Sequence, residues 1–129
     1  MTIEYGLYNK LKNDAGINAL VSGRVYPLRL PQQPTLPAIT YQRISTVRLQ
    51  QLGGVTNNAR VRFQIDSFAE TFNEIKDIAA AIRAALDGFK GTLSSDTVYR
   101  IISLSENDLY ENEADIYRNS QDYEVWHLE

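Results

Sequence analysis

The chain has 129 residues, 43% of them hydrophobic and 22% charged, with a formal net charge of −3. This composition predicts one globular domain, residues 1–129, with a core of its own. The absence of cysteine excludes a disulfide framework, a thiolate metal site and a cysteine nucleophile, and no stretch reaches the roughly 20 apolar residues of a membrane span.

Thr2 is placed to cap a first helix whose Ile3, Leu7 and Leu11 recur at one-face spacing. Its neighbourhood shows no apolar run of the secretory kind, so a cytosolic origin and no membrane partner are expected. Asp14 is placed to cap a second short helix, AGINALV, closed at Ser22-Gly23. All four prolines follow, Pro27, Pro31, Pro34 and Pro37, in a stiff arm. AITYQRIS, residues 38–45, reads as a strand. Ile39 and Tyr41 share a face that Ile44 leaves, which predicts a bulge or a strand covered on both sides.

Residues 48–58, RLQQLGGVTNN, read as a hairpin connection with Gly53-Gly54 at or near its tip. In the next strand, 59–69, Ala59, Val61, Phe63 and Ile65 alternate with Arg60, Arg62, Gln64 and Asp66. Thr71 and Glu74 have capping-box spacing ahead of a helix over about 72–87. Its stripe is Phe72, Ile75, Ala79, Ile82 and Leu86, flanked by Ile78 and Ala85, and Gly88 ends it. Residues 97–106 and 119–129 read as two further strands, with an acidic connection between them. The expected architecture is α+β: a mainly antiparallel sheet of about four strands, the long helix packed on one face, and short N-terminal helices.

No catalytic constellation emerges, and an enzyme is not expected. His127 is the only histidine and is expected as a partly exposed strand residue; one histidine does not build a zinc site without carboxylates. ENDLYENEAD lacks the spacing and central glycine of a calcium loop. GGVTNN lacks the lysine and following helix of a phosphate loop. No cofactor is therefore predicted. Charge is uneven, however. Between Arg24 and Arg62 lie six arginines and no acid, and between Glu106 and Asp115 lie five acids and no base. The eight tyrosines are of a type favoured at protein interfaces.

In order along the chain, the segments GRVYP, P-ITYQRIS, R-QID-FA, LDGF and LYE resemble those of the tail-completion or tail-terminator proteins of long-tailed bacteriophages and prophages, over nearly the whole length. The resemblance implies a structural subunit without enzyme activity or cofactor. It implies a homo-oligomeric ring, usually six-fold, on the head-facing end of the tail tube. Such a ring stops tube polymerisation and meets the head connector. The implied place is the tail–neck junction of the virion, after assembly in the bacterial host cytoplasm, and the implied partners are the major tail tube protein and a head-completion or connector protein. A connector-side neck adaptor ring is the alternative reading.

A ring needs two unlike surfaces per subunit. Arginines among Arg29, Arg43, Arg48, Arg60 and Arg62 are expected to face acids among Glu106, Asp108, Glu111, Glu113 and Asp115 of a neighbour. Tyr26, Gln50 and Leu52 are added as candidate subunit or tube contacts. A second use of the acids is to line a lumen through which DNA passes without sticking, since negative charge repels phosphate. The proline arm, with Tyr26, Leu28, Leu30 and Leu36, is expected either to cover the edge of its own sheet or to lie on the next subunit.

Overall fold

The structure, a computed structural model, describes residues 2–51, 54–94 and 96–128, with backbone alone at residues 50, 51 and 54–57. Helix α1 (Ile3–Asn13) buries Ile3, Leu7 and Leu11 on one face, as their spacing predicts. Thr2 is the N-cap residue in extended conformation, but its side chain makes no capping bond. Asp14 does cap α2 (Ala15–Val21), accepting from the N–H of Ile17 at 3.1 Å. Ser22, at φ 52, and Gly23, at φ 77, then turn the chain out of the helix through the left-handed region.

Six described strands form one sheet in the order β1-β2-β3-β6-β5-β4. They are β1 (Val25–Pro27), β2 (Ala38–Gln51), β3 (Gly54–Ala69), β4 (Gly91–Leu93), β5 (Asp96–Glu111) and β6 (Ile116–Leu128). Only β1 runs parallel to its neighbour; every other pair is antiparallel. This corrects the expectation of about four strands beneath one dominant helix. Strand outweighs helix, 50% against 28%, and the mixed sheet curls into a half-barrel carrying three short helices.

The two strands beyond the expected four are β1 and β4, and the expected strands are longer than predicted. The expected hairpin connection at 48–58 is mostly strand, because β2 runs to Gln51 and β3 starts at Gly54. The expected acidic connection is strand as far as Glu111, leaving only 112–115 as the turn. The head of the proline arm joins the sheet as β1. Pro27 sits at the end of that short edge strand, where a missing N–H breaks no ladder bond.

The third helix, α3 (Phe72–Leu86), lies on the face of the sheet that β3 makes apolar. Thr71 Oγ1 accepts from the N–H of Glu74 at 3.2 Å and donates to Glu74 Oε1 at 2.9 Å, tying the first turn. Ile75, Ile78, Ala79, Ile82 and Leu86 are buried. Phe72 is not part of that stripe: it is 46% exposed and meets Tyr117 edge-on at 6.3 Å. Gly88, at φ +78, lets the chain leave α3 in the left-handed region, and its N–H donates to the carbonyl of Ile101 at 2.8 Å rather than back to the helix.

The sheet side of the core is Ile39, Val61, Phe63, Ile65, Ile101, Tyr123 and Val125. The alternation predicted for β3 holds, with Ala59, Val61, Phe63 and Ile65 all at or below 1% exposure. The irregular pattern of β2 resolves as a bulge, a register shift between Arg43 and Ser45. Helix α1 reaches the β4 end of the sheet through Gly6, where an added Cβ would stand 2.8 Å from Leu93 Cβ and 2.9 Å from the Leu93 carbonyl oxygen. No side chain fits that approach.

Candidate assembly surface

The structure distributes the predicted interface residues over two opposite edges and one face. Tyr26 lies half-buried in β1, and Arg29 is exposed on the arm. Arg43 and Arg48 lie on β2, on the side that carries the helices, since Arg43 is opposite Phe63 and Arg48 opposite Ala59. The backbone of Gln50 pairs with Val55, while its side chain and all of Leu52 lie outside the described residues. Arg60 and Arg62 lie on the other face of β3. Asp108 and Glu111 lie on β5, and Glu113 and Asp115 in the following turn. Arg29, Arg43 and Arg48 thus lie toward one edge and the acids toward the other, with Arg60 and Arg62 on the face between.

Each tract has partners of its own. Arg43 Nη2 is 2.6 Å from Glu4 of α1 and its Nη1 donates to Thr46 at 3.0 Å. Arg62 pairs with Asp122 and Arg60 with Glu124, both across the β3–β6 ladder. Glu106 takes Lys76 and Arg83 of α3, and Asp108 takes Lys76 at 3.1 Å. Arg118 joins Asp66 at 2.6 Å and Glu111 at 3.5 Å. Apart from Arg118–Asp66, whose carboxylate is buried, these exposed ion pairs contribute little each. Their value here is local: they let a run of carboxylates exist as strand.

Asp108 has the most developed surroundings of the acids. Asn119, fully buried on β6, donates to its carboxylate at 2.7 Å, and Lys76 adds a second hydrogen bond and its charge. These hold the Asp108 carboxyl below its ordinary value, the Asn119 bond most, against an opposing effect of desolvation. A depressed carboxyl stabilises the fold above its unfolded value near 3.8 and loses that contribution as pH falls through the lowered folded value. The Asp108→Asn variant is therefore expected to have a lower urea midpoint than the wild type at pH 7, with the gap closing below about pH 4. A gap independent of pH removes the carboxylate from the account.

Two stretches of edge backbone have no strand neighbour among the described residues. On β5, β4 covers only Asp96–Val98, and Gly88 and Phe89 bond to Ile101. Residues 104–111 are all exposed, with Leu104 at 44%, Leu109 at 48% and Tyr110 at 45%. On β2, β1 covers Ile39–Tyr41, after which 42–47 has no strand alongside. Ile44 and Val47 there are 43% and 44% exposed.

His127, expected to be partly exposed, is 4% exposed, because its register places it on the helix-covered face beside Val98. It lies at a cavity of about 440 Å³ walled by Thr2, Glu4, Arg43, Arg48 and Asp96. Among the described residues no group of three His, Cys, Asp or Glu side chains is placed to hold a metal ion.

Residues 6–128 match the family described as tail completion protein gp17. The chain belongs to that family. Tail completion proteins are structural proteins of phage-type virions, and the chain is one such tail component. No curated protein matches it by sequence. Its fold is similar to that of a chain in the virion of a native gene transfer agent particle, with TM-score 0.80 and 22% identity over 95% of this chain and 92% of that one. The six-stranded sheet is thus a fold used by a chain in a virion particle.

Proposed function

We propose that this tail completion protein assembles as a homo-oligomeric ring, six-fold in symmetry, on the head-proximal end of a finished tail tube. The ring ends tube polymerisation and offers its other side to the head connector. Family membership across residues 6–128 carries this reading. The fold supports it, because one subunit presents two unlike edges, which is what a head-to-tail ring needs. The β1–β2 edge and arm carry Tyr26, Arg29, Arg43, Arg48 and the backbone of Gln50; Leu52, also proposed as a contact, lies outside the described residues. The β5 edge and its turn carry Asp108, Glu111, Glu113 and Asp115. Arg60 and Arg62 lie on the sheet face between the edges, paired with Glu124 and Asp122, and are not part of the proposed junction. Glu106 and Asp108 engage α3, which weighs against their lining a DNA passage.

Under this proposal the protein sits at the tail–neck junction, is added in the host cytoplasm, and touches the major tail tube protein on one side and the head-completion protein on the other. Deletion of the gene tests it by electron microscopy of the lysate. Overlong tubes are expected. Tails of normal length beside unjoined heads would replace the terminator reading with that of a connector-side adaptor.

A further inference from the structure

We propose that the ring closes through main-chain pairing: the open edge of β5 in one copy adds to the open edge of β2 in the next, antiparallel, making one continuous sheet. The inference rests on the ring reading and specifies its junction.

The direction of the backbone follows from bonds already present. On β5, Ile101 uses both its N–H and its C=O toward the outer edge, to Phe89 and Gly88, and the N–H of Ser103 turns the same way, to Asp87. These residues share the helix-covered face. Beyond the register shift at 103–105, that face continues as Glu106, Asp108 and Tyr110. Their N–H and C=O groups therefore point to the same outer edge. On β2, Ile39 and Tyr41 bond outward, to Arg24 and Leu28. Past the shift at Arg43–Ser45 the outward position is Thr46, opposite core Val61. Each edge thus presents backbone donors and acceptors that invite a strand.

A second copy is the occupant that fits. Within the chain, β2, β3, β6 and β5 alternate in direction without exception. Setting β5 beside the β2 of an equally oriented neighbour preserves that alternation. The open halves differ in sign: 104–111 carries Glu106, Asp108 and Glu111 with no base, whereas 42–47 carries Arg43 with no acid. The stagger fits as well. Register places Tyr41 level with Glu106, so the two open halves lie at opposite ends of the sheet. Bringing 104–111 against 42–47 needs a slide of about five residues, roughly 17 Å at about 3.4 Å per residue. Four strands about 4.8 Å apart span roughly 19 Å. The implied strand tilt is about 40°, inside the roughly 35–45° at which sheets close into barrels.

The test uses proline, which deletes one outward N–H without touching the inner ladder, with alanine at the same site as control for the side chain. Native mass spectrometry of wild type, alone and on tail tubes, reads the ring. Tyr110→Pro and Thr46→Pro are each expected to abolish rings, whereas Tyr110→Ala and Thr46→Ala retain them. A mixture of the two proline variants is expected to give dimers and nothing larger, because each keeps one intact edge. Amide exchange at 106, 108 and 110 is expected to slow in the wild-type ring relative to the free subunit, a readout independent of whether the variants fold. Rings that form while these amides exchange as fast as in the subunit overturn the pairing and leave the ring reading standing. A wild-type chain that remains monomeric even on tubes overturns both.

Discussion

Replacing Phe63 by alanine is expected to remove about 3–5 kcal/mol of unfolding free energy, the largest single-residue loss anticipated in this molecule. Phe63 is completely buried in the middle of β3, flanked in register by Arg43 on β2 and Tyr123 on β6. Strands on both sides and helices above prevent the site from collapsing around a smaller side chain. The lost transfer free energy is then joined by the cost of the cavity. A domain of this size has a total stability of about 5–15 kcal/mol, so the variant is left marginal. Phe72→Ala is the control. Its ring is 46% exposed, and a loss below about 1 kcal/mol is expected. Urea titration of the three proteins decides the matter, and equal midpoints for the two variants would show that the core is not centred on β3.

Arg118→Ala is expected to cost about 2–3 kcal/mol, far more than an exposed ion pair. The reason is its partner. Asp66 is 5% exposed on the face of the sheet away from the helices, and Arg118 reaches it at 2.6 Å. The guanidinium also lies 5.4 Å from the centre of the Phe68 ring, covering it. Truncation leaves a carboxylate largely out of water with, among the described residues, the Gln64 amide at 3.0 Å to answer it. That residual donor, and the partial exposure of Arg118, keep the figure below the roughly 3–5 kcal/mol of a fully buried broken pair. Adding Asp66→Asn to Arg118→Ala is expected to recover a substantial part of the loss, which a double-mutant cycle in urea reads as a coupling energy. Simple additivity of the two losses would mean that Arg118 acts through Phe68 and Glu111 alone.

How much of this was readable from sequence depends on how local the determinants are. Ile3, Leu7 and Leu11 declare α1, Thr71 and Glu74 mark the start of α3, and Ala59 to Ile65 announce the core face of β3, because each pattern is complete within a dozen residues. The end of β5 is different. An acid-rich run has poor strand propensity on its own, and its carboxylates are met by Arg118 and Asn119 of the neighbouring strand β6 and by Lys76 and Arg83 of α3, which are distant in sequence. The same holds for β1, whose three residues are strand only because β2 lies alongside. His127 was misjudged for a related reason. Alternation gives the two faces of β6 but not which one α1 and α3 cover. For the assembly surface, the fold puts Arg29, Arg43 and Arg48 toward one edge, the acids toward the other, and Arg60 and Arg62 on the face between, whereas the sequence showed two tracts of opposite charge. It could not show that the open ends of those edges are staggered, since that depends on the short lengths of β1 and β4.

The placement of β6 between β3 and β5 carries a consequence for how the protein is made. Each hairpin, β2 with β3 and β5 with β6, is a near neighbour in sequence and needs little loop closure to form. The join between them pairs Asn58 with Leu128 and Ala69 with Tyr117, so it waits until the last strand in chain order is available. Until then β3 has a bare inner edge and its Val61, Phe63 and Ile65 lack their cover on one side. A chain stalled before β6 on the ribosome therefore holds an uncapped apolar strand, a target for chaperones and for other nascent copies.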